Sequence, residues 1–216
     1  MAWNQHSGGQ AWRIRPGGLI EVKGEGVPRT EGPPISTLTL WQDYGHAMQA
    51  AACRFGLPLE LLAGIMCVES VRESPDWWRL DARSYRKEPD GRESGGLMQT
   101  LVGTARQMNK KEGLYEKHKK TGGGEYKLEL QVDLQDLLVP ERSIMLGAAY
   151  LAHLRDYDGR GWDAAAGDDP IRLCAAYNAG GVYTSAKNRW RLRVYGADRL
   201  LKFASYYNDF LSLAVG

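Results

Sequence analysis

The sequence predicts a predominantly all-α domain with an irregular N-terminal arm, and three observations carry that expectation. From Thr37 onward, apolar residues recur every three or four positions, the period of a helix face. Pro58, Pro75, Pro140, Pro170 and Gly56 stand where those stretches begin or stop. Residues 1–36, by contrast, are rich in Gly, Pro and polar residues (Ser7-Gly8-Gly9, Pro16-Gly17-Gly18, Gly32-Pro33-Pro34) and show little periodicity. The expected division is an arm or linker over 1–36, with Leu19-Ile20-Glu21-Val22 as one short strand, and a helical domain over 37–216.

Taken in order, the first helix carries Trp41, Tyr44, Met48, Ala51, Ala52 and Phe55 and stops at Gly56. Pro58 opens the second at a position where a missing N–H costs nothing. That helix runs through Leu61, Leu62, Ile65, Met66 and Glu69, and Pro75 ends it by Ser74. Residues 77–96 read as a long polar loop holding the Trp77-Trp78 pair. A short helix over Thr100–Asn109 follows, then a charged, glycine-bearing loop or flap over Lys110–Glu125 with Gly122-Gly123-Gly124. Pro140–Leu154 is the next helix, with Ile144, Gly147, Ala148 and Leu151 on one face. Asp169-Pro170 caps and opens Ile171–Asn178. The last spans Ala197–Leu213, with Leu200, Leu201, Ala204, Tyr207, Phe210 and Leu211 turned inward. Six or seven helices are expected in all.

Composition narrows the function. The chain has 216 residues, enough for one good-sized domain or one with an extension. A formal net charge of +2 does not by itself call for a nucleic-acid partner. Apolar runs such as Leu61–Val68 are too short to span a bilayer. The start, Met-Ala-Trp-Asn-Gln-His, lacks the basic-then-apolar pattern of a secretory signal, so a substrate outside the cytoplasm calls for delivery by another route. Cys53, Cys67 and Cys174 are odd in number and widely spaced, which argues against a disulfide framework; Cys53 and Cys67 lie on apolar helical segments and read as small buried hydrophobes. His6, His46, His118 and His153 show no ligand spacing, so neither a metal nor any other cofactor is expected.

Glu69 is the most informative residue. It stands where the helical period calls for a hydrophobe. Burial disfavours the charged form of a carboxyl, and a protonated glutamic acid can deliver its proton to a leaving oxygen, as glycosidic cleavage requires. The plainer alternative is a buried Glu satisfied by an arginine or by backbone donors. Glu73, on the same face but beside Pro75 and Asp76, reads as a solvated acid or salt-bridge partner.

Four segments, in order, resemble the soluble lytic transglycosylase family and the related goose-type lysozymes. They are Gly56-Leu57-Pro58-Leu59-Glu60-Leu61-Leu62 leading into Val68-Glu69-Ser70; Ser94-Gly95-Gly96-Leu97-Met98-Gln99-Thr100 with Thr104-Ala105; Pro140-Glu141-Arg142-Ser143-Ile144 with Gly147-Ala148-Ala149-Tyr150-Leu151; and Ala175-Ala176-Tyr177-Asn178-Ala179-Gly180-Gly181. The resemblance covers about Leu57 to Val182 and implies a lysozyme-like helical fold with a groove for alternating N-acetylglucosamine and N-acetylmuramic acid. It implies that Glu69 is the catalytic acid and that Ser70 beside it contacts substrate. It further implies that Gly96, Leu97, Met98 and Gln99 shape the groove floor, and that Tyr177 and Asn178 face the acid. Each has a plainer reading: a loop pivot for Gly95-Gly96, core for Met98, a half-buried core tyrosine for Tyr177.

Two departures bear on mechanism. The segment before Gly-Leu-Met-Gln is Asp90-Gly91-Arg92-Glu93-Ser94-Gly95-Gly96, in place of the family's alanine-bearing turn. Goose-type lysozymes resemble it in an aspartate near Asp90 but carry a second acid just past the glutamine, where this chain has Leu101. An inverting hydrolase needs a second carboxylate to activate water; a lytic transglycosylase needs none, because one glutamic acid protonates the leaving oxygen and then takes the proton of the muramic acid 6-hydroxyl. The site therefore favours a peptidoglycan lytic transglycosylase. A muramidase, like a goose-type endolysin, with Asp90 or Glu93 as base, is the alternative, and a lysozyme-like module that binds glycan without cutting is the second.

Lys187-Asn188-Arg189-Trp190-Arg191-Leu192-Arg193 interleaves bases with Trp. It suits glycan stacking and stem-peptide carboxylates, or a plain solvated face, better than nucleic acid on a nearly balanced chain. The expected partner is the peptidoglycan glycan strand, with no nucleic acid and no membrane span. The expected place of action is the cell wall, in the periplasm or outside the cell, reached by way of a phage particle or a secretion machine.

Overall fold

The computed structural model describes residues 2–74, 77–88, 90–120, 126–129, 131–196 and 198–214, with side chains for all of these except 73, 74, 77, 78, 117–120, 126–129 and 214. The expected predominance of helix is borne out. Helix α1 spans Ile35–Phe55, α2 Leu59–Ser70, α3 Val102–Glu112, α4 Leu134–Leu137, α5 Pro140–Asp156, α6 Pro170–Ala179 and α7 Arg199–Ala214.

Their ends follow local chemistry. Gly56 takes the left-handed conformation (φ 60°) that closes α1, its N–H returning to the Ala52 carbonyl. Asp169 caps α6 through its side chain, accepting from the N–H groups of Ile171 and Arg172 at 3.0 and 3.1 Å. The short α4, which the sequence reading lacked, is held by a reciprocal cap. Asp136 N–H donates to the Asp133 carboxylate at 3.1 Å, and Asp133 N–H donates to Asp136 at 2.8 Å.

The core is built on α2, whose residues Leu61, Leu62, Ala63, Gly64, Ile65, Met66 and Cys67 are all buried. A helix apolar on every side must be enclosed on every side. Here α1 and α7 pack along it, and α5 and α6 complete the core. Gly64 permits the α2–α7 approach, because a Cβ there would lie 2.7 Å from Phe203 Cε2. A smaller cluster of Val102, Ala105, Val132, Leu137 and Leu146 lies under α3 and α4.

Three expected stretches differ. The second helix stops at Ser70, not near Ser74, because Val71 turns to an extended conformation (φ −69°, ψ 127°). Strand β3 (Val71–Ser74) then pairs antiparallel with β4 (Trp77–Leu80), and the β-branched Val71 suits that role. The expected polar loop over 77–96 holds, besides β4, strands β5 (Tyr85–Lys87) and β6 (Glu93–Gly95), which with β7 (Thr100–Leu101) make a three-stranded antiparallel sheet. Its exposed Tyr85-Arg86-Lys87 strand carries no apolar alternation to announce it. Past α3, which runs on to Glu112, β8 (Lys117–Lys120) pairs with β9 (Tyr126–Glu129). The flap residues Gly122-Gly123-Gly124 and the side chain of Glu73 lie outside the described residues.

In the N-terminal region, strand β1 (Trp12–Ile14) pairs antiparallel with β2 (Ile20–Val22) as a hairpin. Trp12, Ile20 and Val22 are fully buried in the main core. The hairpin is stitched to the C-terminal helix by Asn208, whose Oδ1 accepts from Ile20 N–H at 2.8 Å. Its Nδ2 donates to the carbonyls of Ile20 and Pro28, both at 2.9 Å. Trp12 Nε1–H donates to the α6 cap, Asp169, at 3.0–3.1 Å.

Candidate active site

Glu69 lies one residue before the end of α2, on the wall of a cavity of about 480 Å³. Gln99, Thr100 and Leu101 come to that cavity from the β6–β7 turn and β7, and Arg86, Glu88, Arg92 and Ser94 from the β5–β6 hairpin. Tyr150 of α5, Tyr177 and Asn178 of α6, and Tyr195 close the other side. The structure thus brings four of the sequence-derived residues, Glu69, Gln99, Tyr177 and Asn178, to one cavity.

The others support it from behind. Ser70 is fully buried, its hydroxyl donating to the Met66 carbonyl at 2.6 Å. Leu97 and Met98 are fully buried beneath the cavity. Met98 N–H donates to Ser143 Oγ at 3.2 Å, and the Met98 carbonyl accepts from the Tyr177 hydroxyl at 2.8 Å. Gly96 (φ 73°) makes the turn possible: a Cβ there would meet the Leu137 carbonyl oxygen at 1.9 Å. Gly147 on α5 leaves the room that Met98 fills, with a Cβ there 2.6 Å from Met98 Cβ.

Gln99 adopts a left-handed conformation (φ 46°) rare for a side chain of its kind. Its Nε2 lies within hydrogen-bond distance of Ser84 Oγ (2.8 Å), the Gly96 carbonyl (2.9 Å) and the Ser84 carbonyl (3.0 Å). A backbone this unusual persists where its surroundings fix it. The Tyr177 hydroxyl, besides its bond to Met98, stands 2.9 Å from Thr100 Oγ1. Burial, reinforced by the nearby Glu69 charge, pushes that hydroxyl well above its ordinary pKa despite the opposing Thr100 bond. Burial also pushes Tyr150 up to about 12, and its ring lies 5.3 Å from that of Tyr177. Both phenols are therefore neutral at physiological pH.

Glu69 is not alone on its stripe. Its Oε1 is ion-paired with Nη2 of Arg199, the first residue of α7, and the two side chains are only 13% and 14% exposed. The arrangement is the arginine-satisfied one that the sequence left open. Desolvation works against the Arg199 charge, yet the field of Glu69, with Cys174, Tyr177 and the hydrogen bond to Glu69, raises its pKa above the usual arginine value. Nothing in the motifs singles out Arg199. The signal available was the rule that a buried carboxylate carries a partner, which does not say which arginine.

Asp90 and Glu93 are not among the cavity-lining residues. Asp90 is exposed and turned back on Arg92, accepting from its backbone at 3.1 Å and its Nε at 2.8 Å. Those bonds hold its carboxyl below the usual range. Glu93 pairs across the hairpin with Lys87. The acidic residue of this hairpin that does line the cavity is Glu88, which the sequence reading passed over. Among the described residues, no group of three or more His, Cys, Asp or Glu could hold a metal, and no helix is long and apolar enough to cross a membrane.

The sequence profile described as the transglycosylase SLT domain matches residues 46–201, from the middle of α1 to the first turn of α7. The chain belongs to this family. The match contains Glu69, the Gly96–Gln99 turn, Tyr177, Asn178 and Arg199, so the resemblance read from the sequence is borne out. No curated protein matches the chain. Among solved structures, the SLT chain is similar to an inactive mutant of the lytic transglycosylase Slt from Pseudomonas aeruginosa, at 21% identity and a TM-score of 0.45. That likeness covers 80% of this chain but only 23% of Slt. The SLT chain therefore spans about a quarter of that relative's length.

Proposed function

We propose that this SLT-domain protein cleaves the β-1,4 bond between N-acetylmuramic acid and N-acetylglucosamine in peptidoglycan as a lytic transglycosylase, with Glu69 as its acid and base. The observation that carries the reading is the place of Glu69. A helix otherwise committed to the core delivers one acidic residue to the wall of a polar cavity that Tyr177 and Asn178 also line.

In this reaction the Glu69 proton passes to the glycosidic oxygen and the bond to muramic acid C1 breaks, with the N-acetyl group stabilising the cationic centre. The 6-hydroxyl oxygen then bonds to C1 and its proton returns to Glu69. A 1,6-anhydro end is left and no water is consumed. Gln99, Asn178 and Thr100 supply amide and hydroxyl groups for acetamido sugars, and Tyr150, Tyr177 and Tyr195 supply rings for their apolar faces.

One observation favours a second reading. Glu88 also lines the cavity, and a second carboxylate is what a hydrolytic muramidase needs to activate water.

Digestion of purified sacculi, followed by mass spectrometry of the soluble muropeptides, separates these outcomes. Products lighter by one water than hydrolysed forms, and absent with Glu69→Gln, support the lyase. Ordinary reducing ends that vanish with Glu88→Gln support the muramidase. Sacculus binding without products from folded protein supports a binding module. Recovery of the protein from purified virions or from secreted fractions would assign its route to the wall.

A further inference from the structure

Gly64 of α2 admits Phe203 of α7, and Glu69, five residues on, meets Arg199, four residues back. The antiparallel packing of the two most closely joined helices therefore sets Arg199 against Glu69. Glu69 lines the cavity and Arg199 does not. Arg199 reaches Glu69 from the protein side, held also by an Nη1 bond to the Tyr195 carbonyl at 3.4 Å. Its Nε is buried with no hydrogen-bond partner among the described residues. A guanidinium kept under those terms has its place fixed by the carboxylate it serves.

We propose that Arg199 is the positioning residue for Glu69: it fixes one carboxylate oxygen from behind while the group faces substrate, and it stabilises the negative charge Glu69 bears after giving up its proton. This rests on the transglycosylase reading and adds a residue to it. In that reaction Glu69 alternates between a neutral acid and a carboxylate. A fixed cation lowers the barrier to forming the carboxylate, and an aimed oxygen lowers the cost of finding the leaving group. Arg199 touches no reacting atom and acts through Glu69 alone.

The other groups around Glu69 do not replace it. From α6, Cys174 and Tyr177 face the pair as neutral groups, the thiol pushed up to about 12 by burial. From α5, Tyr150 is neutral in the same range. On the cavity side, Arg92 is paired with Asp90, while Arg86 and Glu88 stand with it on the β5–β6 hairpin and Tyr195 closes the far wall.

The test is the pH dependence of turnover on soluble, uncross-linked glycan strands for wild type, Arg199→Met, Arg199→Gln and Arg199→Lys, with folding followed by circular dichroism and binding by sacculus pull-down. A general acid stops working when it loses its proton, and a nearby cation eases that loss. The uncharged variants should therefore move the alkaline limb of kcat/KM to higher pH, lower kcat roughly 10- to 100-fold, and leave binding near wild type. Arg199→Lys keeps the charge but not the planar fork, so its limb should stay near that of wild type while kcat falls. The displacement should persist with Glu88→Gln added, which assigns the limb to Glu69.

Arg199→Met and Arg199→Gln proteins that fold and give the wild-type limb overturn the proposal, as does a loss confined to KM. If the uncharged variants fail to fold, wild-type kcat in Arg199→Lys overturns it. Full activity in Glu69→Gln instead sinks the transglycosylase reading itself, whatever Arg199 does.

Discussion

The Tyr177 hydroxyl donates to the main-chain carbonyl of Met98 at 2.8 Å, tying α6 to the turn beneath the cavity. Both partners are buried, so the bond has no water to replace it. Tyr177→Phe should cost about 1–3 kcal/mol, because it leaves the Met98 carbonyl unpaired. Urea unfolding would measure the loss. Activity should drop further than stability alone explains, because Gln99, next to Met98, reaches the cavity.

Gly96→Ala should be more damaging. The substitution places a Cβ at 1.9 Å from the Leu137 carbonyl oxygen and 2.5 Å from Ser143 Oγ, at a φ of 73°. Strain and overpacking together should remove roughly 2–5 kcal/mol. A thermal melt would show it, and Gly91→Ala, where φ is also positive but nothing lies within 4 Å, should lose only the backbone share.

Asn208→Ala should loosen the N-terminal hairpin. It removes three hydrogen bonds at once, to Ile20 N–H and to the carbonyls of Ile20 and Pro28. Leaving those groups unpaired should cost about 2–4 kcal/mol. Limited proteolysis should then cut within the first thirty or so residues before it cuts the helices.

Acid should weaken the same region through His6, which is buried beside Thr184, with Nε2 3.1 Å from Thr184 Oγ1. Burial, with the Arg172 charge adding, lowers its pKa below 6.5. The unfolded chain therefore takes up the proton first. The His6 contribution to stability is complete above 6.5 and is lost as pH falls through the lowered folded value. His6→Gln should flatten that part of the stability–pH curve, as followed by urea midpoints between pH 7 and 5.

How much of this was legible in the sequence depended on the kind of signal. Leu61, Leu62, Ile65 and Met66 announced α2, and Asp169-Pro170 announced α6, because apolar period and caps are local properties. The β5–β6 hairpin was not, since β5 is exposed throughout and the buried residues of β6, Ser94 and Gly95, carry no apolar alternation. Glu69, Gln99, Tyr177 and Asn178 were found together because they lie in motifs. Arg199 was missed because its meeting with Glu69 is set by helix packing across 130 residues of chain, and no local pattern encodes that register. Glu88 was passed over for Asp90 and Glu93 because only the path of the hairpin decides which acid turns inward.

The junction of α2 with α7 also sets an order of events during synthesis. Glu69 leaves the ribosome long before Arg199, and the hairpin of Trp12 and Ile20 waits longer still for Asn208, 188 residues after Ile20. Until α7 emerges, the apolar faces of α2 lack one of their main coverings and Glu69 lacks its cation. Contacts so distant in sequence form late and together. A chain truncated before α7 therefore lacks both a main covering of α2 and the cation beside Glu69, and cleavage competence should arrive only once α7 has been made.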